Sequence, residues 1–436
     1  MKAYIGISFI LLVVLHVSCE RLTQPRVENQ AEVHLTEVAT LVQDTYLRLQ
    51  VSGAPAGSVL RVYRNNTVWI DHPYTEKDSL LHDSGLPPGS QLTYRAEIIQ
   101  SGVVIGRSAP LSVQLLDTTS HQVQWEVYEF NSPYGSGNLS DVAIVSEDNI
   151  WVVGEIYNDS VKTWLPYNAI HWDGIEWKEF RIKTKACGGV DFPGIRRVKK
   201  MLDDVVVFAH IDASLTFLFK GQFENSCKYI QTINSSIWNL WGMNRNFLII
   251  GSEDGILSKY DGYEWYKIYT STRNYVIQDI YGYIVNNELN EILAIASDFY
   301  HRPGSELIRI DGDAARIIAD STELQRGLAG IWFSSGREYW LVGDGVFRAR
   351  LQPHNWEHIQ SFPAYFAHGI GGTDVNDIWV VGAFGLMSHF NGKSWHHYRG
   401  NELPPYGVFW NVQVTKNLIV AVGVKGGKGY VVLGKR

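Results

Sequence analysis

Through most of the chain apolar and polar residues alternate in short runs. The runs are broken by Gly, Pro and Asn/Asp turns, which predicts short half-buried strands rather than helices. The start differs. Lys2 precedes a continuous apolar run over 4–14, too short for a permanent membrane span, and residues 1–18 read as an export signal. From 32 to 117 the alternation predicts strands at 32–38, 46–51, 59–64, 79–83, 92–98 and 112–115, with turns at Asn65-Asn66 and Pro87-Pro88-Gly89. Six or seven strands in so short a stretch suit a β-sandwich.

The remainder repeats itself. Ile150-Trp151-Val152-Val153-Gly154, Leu248-Ile249-Ile250-Gly251 and Ile378-Trp379-Val380-Val381-Gly382 are buried-strand patterns. Each is followed by a strand, an Asp-Gly or Asn-Gly turn (173–174, 261–262, 391–392) and a strand opening on Trp177, Trp265 or Trp395. Weaker copies lie at 204–230, 292–318, 339–359 and 418–434. The turn glycine recurs at 174, 221, 262, 312, 392 and 434, about 43 residues per repeat, the length of a four-stranded propeller blade. The seventh copy stops at Arg436 where a Trp-led strand is due, and an unassigned one precedes the first copy at 125–130. The expected fold is therefore all-β: a small sandwich over 32–117, a linker at 118–124, and a seven-bladed β-propeller over 125–436 closed by strand 125–130.

Composition agrees. The 436 residues are 45% hydrophobic and include 40 Gly and 15 Trp, so a large core is available. A net charge of -7 argues against a nucleic-acid partner. Three cysteines do not make a disulfide scaffold: Cys19 follows the apolar run, and Cys187 and Cys227 are either a pair or two free thiols.

Three resemblances carry further. Ser18-Cys19 after the apolar run resembles a bacterial lipobox, although His16 stands where Leu is usual; the alternative is an ordinary secretory signal with a chance Cys. It implies lipidation of Cys19, a tether over 19–31 and an envelope location, at the outer membrane or cell surface. The stretch 85–96 resembles the E–F corner of fibronectin type III domains, with Leu92 at the tyrosine position and Tyr94 two residues on. The Ile-Trp-Val-Val-Gly and Asn-Gly-Lys-Ser-Trp repeats resemble photosystem-assembly-factor-like propellers. The whole layout resembles exported lipoproteins of Bacteroidetes-type bacteria, a family that supplies no functional residues.

Catalytic signatures are missing. There is no HExxH, nucleophile elbow, phosphate loop or sialidase Asp box, so no catalytic residue, metal or cofactor is assigned. His34, His72 and His82 read as solvated strand residues, and His396-His397 points to opposite faces of one strand. Trp177, Trp265, Trp356 and Trp395 occupy one repeat position and read as packing between blades. Asp148-Asn149 and Asn376-Asp377 read as turn caps, and Gly154, Gly251, Gly343, Gly382 and Gly423 as sites of close backbone approach or bulges. The long loops carry an excess of aromatics, and Tyr157, Trp164, Tyr300, Arg302 and Tyr406 are the candidate binding residues on one propeller face. The expected function is a monomeric, non-enzymatic binding or scaffold lipoprotein for a protein or polysaccharide. The alternatives are an exported glycan-active hydrolase or lyase, and an assembly factor for an envelope complex.

Overall fold

A computed structural model describes residues 31–130, 136–158, 165–184, 192–226, 230–298, 302–403 and 407–436; the side chains of 225, 226, 302 and 303 are outside the description. The chain divides into two compact units. Among the described residues the smaller takes 31–35, 49–79 and 93–111, and the larger takes 36–48, 80–92 and those from 112 onward.

The N-terminal strands form two sheets. One has three strands, Glu32–Thr40, Asp44–Ser52 and Asp78–Ser84. The other runs Thr67–Pro73, Val59–Arg64, Gln91–Gln100 and Val103–Arg107, with Leu111–Gln114 pairing to Gln91–Gln100. That is eight strands. The two that the sequence pattern does not announce, Thr67–Pro73 and Val103–Arg107, are the edges of their sheet. Edge strands with most side chains in water carry no apolar alternation to detect. Asn65 and Asn66 both have positive φ (50° and 66°), which makes the predicted hairpin turn. Leu92 and Tyr94 are both buried, Tyr94 fully, edge-on to Trp69 at 5.6 Å. His34, His72 and His82 are exposed; His82 lies on the Tyr46 ring and bonds Asp44 at 2.8 Å.

The larger unit contains seven four-stranded antiparallel sheets among the described residues. Sheet 1 is Gly137–Ser146, Asn149–Ile156, Tyr167–Trp172 and Trp177–Phe180. The first strands of the next six are Ile195–Lys200, Ile237–Asn244, Val276–Val285, Leu328–Ser334, Ala367–Asp374 and Val408–Val414. Each first strand touches the first strand of the following sheet, and that of sheet 7 touches that of sheet 1. Sheet 7 takes its outermost strand from Gln124–Phe130, which pairs in unbroken register with Lys428–Lys435 (Val127 opposite Val432, Trp125 opposite Gly434). Gly434 is therefore a strand residue under the Trp125 ring and not a turn, because this sheet has no connection from its third to its fourth strand. The other five repeat glycines do sit in turns, with φ from 63° to 98°. The fourth strand of sheet 2 is Gln222–Ser226 and ends before the expected 227–230 segment.

Apolar side chains on facing sheets form the cores. Trp177 joins sheet 1 to Tyr128 and Phe130 of sheet 7, and Trp265 packs against the core that sheets 2 and 3 share. Trp356 packs against the core that sheets 4 and 5 share, and Trp395 on Trp340 of sheet 5. The repeated Trp is a packing residue, as its recurrence implies.

The turn reading fails at Asp377 and Asn149. Asn149 lies on a strand and accepts a hydrogen bond from His171 at 2.9 Å. Asp377 is 1% exposed and accepts from Trp379 Nε1 (2.9 Å), His389 Nε2 (3.1 Å) and the Arg436 guanidinium. Burial alone would raise its carboxyl, but the bonds from His389 and Arg436 outweigh that and hold it well below the usual carboxylate range. His389, stacked on Trp379 at 4.4 Å, is kept neutral by burial and meets His121 of the linker, Nδ1 to Nδ1, at 2.9 Å.

Candidate functional site

Each of the seven first strands carries one irregularity near its start, where one residue has no partner on the second strand. These residues are Ser140, Arg196, Trp238, Gln278, Ala329, His368 and Trp410. A bulge turns one side chain out of the alternation and re-aims it. All seven line a single cavity of about 490 Å³, together with Asn138, Glu155, Gly194, Arg197 and Ile211. Just before the bulge, the carbonyl two residues ahead of it presses on the second strand, and glycine makes room for it. A Cβ on Gly423 would stand 1.9 Å from the Val408 carbonyl oxygen, and one on Gly154 2.1 Å from that of Asn138. Gly343 and Gly382 repeat this arrangement, while Gly251 instead makes room for the Ile277 side chain.

The residue after each bulge forms the next level down. Asp141 accepts from the Val142 and Val198 N–H groups (2.8 and 2.9 Å) and from Asn411 Nδ2 (2.6 Å). Asp279 accepts from Ile280 and Ile331 N–H (both 2.9 Å) and from Asn239 Nδ2 (3.2 Å). These bonds join neighbouring sheets. Burial raises both carboxyls despite the nearby Arg197 and Lys199 charges, and the same burial lowers the Lys199 ammonium. With every carboxylate oxygen engaged, this layer holds the first strands together.

The upper layer is less committed. The Arg196 guanidinium lies over the Trp238 ring at 4.0 Å, and burial lowers its pKa. Trp238 Nε1 donates to Gln278 (3.1 Å) and Trp410 Nε1 to Asn138 (2.7 Å), so both indole donors are satisfied. His368 stands edge-on to Trp410 at 4.7 Å, and burial lowers it to about 4. The unfolded chain therefore binds a proton at this site below about pH 6.5 that the folded chain refuses until about pH 4. The stabilisation is fully present above pH 6.5 and is lost as pH falls. Relative to His368→Phe, the native protein should lose about 3 kcal/mol between pH 7 and pH 4, and chemical denaturation of both proteins across that range checks it.

Of the sequence candidates, Tyr157 stands beside this mouth. Its N–H donates to the Ser136 carbonyl (2.8 Å) and its hydroxyl to Glu155 at 3.5 Å, with burial raising the phenol. Trp164, Tyr300 and Tyr406 lie outside the described residues, as do Cys19, Cys187 and Cys227; Arg302 begins the third strand of sheet 4, with its side chain outside the description. The loops drew the sequence reading, whereas the structure converges residues from the first strands. A signal for them exists: the seven segments align as apolar, variable, Asp/Asn/Arg/Gly, apolar (Leu139-Ser140-Asp141-Val142, Ile237-Trp238-Asn239-Leu240, Ala367-His368-Gly369-Ile370). The variable position inside a regular pattern is the bulge.

Among the described residues no three His, Cys, Asp or Glu side chains are placed to hold a metal ion. No protein-family model and no curated protein matches the chain. Solved structures do. One is described as YCF48 bound to D1 peptide (12% identity, TM-score 0.54, 73% of this chain and 99% of that one). Another is the WD40 β-propeller domain of Doa1 (13% identity, TM-score 0.53, 72% of this chain and 98% of that one). At such identities the likeness shows the fold alone, a β-propeller.

Proposed function

We propose that this chain is a non-enzymatic binding scaffold, a fibronectin type III-like sandwich followed by a seven-bladed propeller, whose bulge-lined mouth takes an extended segment of a partner protein. The observation that carries this reading is the bulge set. All seven first strands give up one ladder pairing at the same level, and all seven freed side chains line one cavity. Sheets that needed only to pack would keep those pairings. The carboxylates below are tied to backbone N–H groups, which favours binding over hydrolysis. The described solved structure with a bound peptide has the same kind of fold, which makes a peptide the first ligand to try.

A displayed random-peptide library tests the reading. The native chain should enrich a consistent set of peptides. Ala329→Trp, which fills the cavity from the smallest of the seven bulge residues, should lose that enrichment at an unchanged melting temperature. Equal enrichment by both proteins would place binding elsewhere.

We further propose that Cys19 is lipidated and holds the protein at the envelope surface. Cys19→Ser should move it from the membrane fraction to the soluble exported fraction. A native protein that is already soluble contradicts the anchor.

A further inference from the structure

The residues of the mouth differ in kind around the ring. Sheet 2 supplies charge. Its first strand reads Ile195-Arg196-Arg197-Val198-Lys199-Lys200; Arg196 takes the bulge and Arg197 also lines the cavity. Lys199 acts on both Asp141 and Asp279, which stand on sheets 1 and 4. Stacking on Trp238 fixes the plane of the Arg196 guanidinium and strips part of its hydration. Arg197 donates through Nη1 to the Arg196 carbonyl (3.0 Å). Its Nε is buried and has no acceptor, and among the described residues Arg197 makes no ion pair. An arginine in a cavity with an unused buried donor lacks an acceptor that a ligand could bring.

The acids nearby do not fill that place. The Glu155 carboxylate is at the mouth and its charge acts on Arg196, but it accepts its hydrogen bond from Tyr157. Asp141 and Asp279 are held by the backbone of neighbouring sheets. Sheets 5 to 7 supply apolar surface instead. Ala329 offers only a methyl group, so the ring has most room there, beside His368 and the face of Trp410.

We propose that the mouth recognises a peptide carboxylate adjacent to a bulky apolar side chain. The carboxylate is received by Arg196 and Arg197, and the apolar group lies over Ala329 against His368 and Trp410. This rests on the peptide-binding reading and narrows its ligand. The carboxylate has two possible sources, the free end of a chain or an Asp or Glu side chain, and both offer the same planar acceptor to a guanidinium.

The test uses the full chain and three random heptapeptide mixtures: free C-termini without Asp or Glu, amidated C-termini with Asp and Glu, and amidated C-termini without them. Retained peptides are read by mass spectrometry for the native protein, Arg196→Gln, Arg197→Gln and Ala329→Trp, each with its melting temperature. Retention of the first or second mixture but not the third, reduced at least tenfold by Arg197→Gln at an unchanged melting temperature, supports the inference. Which of the two is retained identifies the source. Ala329→Trp should abolish retention and Arg196→Gln should weaken it, so the outcome does not hang on one variant. Equal retention of all three mixtures, or retention indifferent to both arginine changes, overturns the carboxylate and leaves the peptide reading standing. If no mixture is retained while a uronic-acid oligosaccharide is, the peptide reading fails with it.

Discussion

Replacing Gln124–Phe130 by a glycine-serine segment of equal length should cost the larger unit most of its stability, with the melting temperature falling by well over 10 °C and aggregation following. The strand pairs residue by residue with Gly429 to Lys435. Its Trp125 ring meets Trp379 and Tyr398 edge-on (5.9 and 5.2 Å), and Tyr128 meets Trp172 and Trp177 (5.9 and 5.8 Å). Each lost aromatic alone is worth about 3–5 kcal/mol when its site cannot collapse, and one kcal/mol moves a domain of this size by about 2–4 °C. The exposed Lys428–Lys435 edge would then offer unpaired N–H and C=O groups to other chains. Thermal melting with light scattering reads both effects. A variant that melts like the native protein would mean that the strand contributes nothing to the ring.

Asp377→Ala is the point change with the largest expected effect. The carboxylate is the shared acceptor for Trp379, His389 and Arg436 inside the protein, and its removal strands a partly buried guanidinium and two buried N–H groups. Breaking such a pair by deleting one partner costs about 3–5 kcal/mol, or roughly 10 °C in melting temperature. Asp377→Asn keeps an acceptor of the same shape and should recover part of the loss. Equal losses for Ala and Asn would show that charge, rather than hydrogen bonding, holds the cluster. No loss in either would remove its structural role.

The sequence announced what repeats and was silent about what differs. Asp173-Gly174, Asp261-Gly262 and Asn391-Gly392 mark hairpins because few other residues take positive φ there, and the second strands are legible because both their faces are buried. The first strands of sheets 2, 4, 5 and 7 escaped notice. Ile195–Lys200 reads as a charged run, and the one-residue slip at each bulge breaks the period-two pattern on which detection relies. The mouth was hidden for the same reason, since it is built from those slips. The role of Asp377 is hidden because an Asn-Asp pair before an apolar run looks like any turn; its partners His389 and Arg436 come from other parts of the chain.

Site-specific cross-linking tests the binding mouth most directly. A benzophenone side chain at Ile211 stands part-exposed on the lining of the mouth without filling it, and one at Val285 stands exposed at the far end of a first strand, away from its bulge. On irradiation with a peptide selected by the native protein, the adduct should form at 211 and not at 285. An adduct at 285, or equal adducts at both, would contradict the mouth as the place where this protein takes its partner.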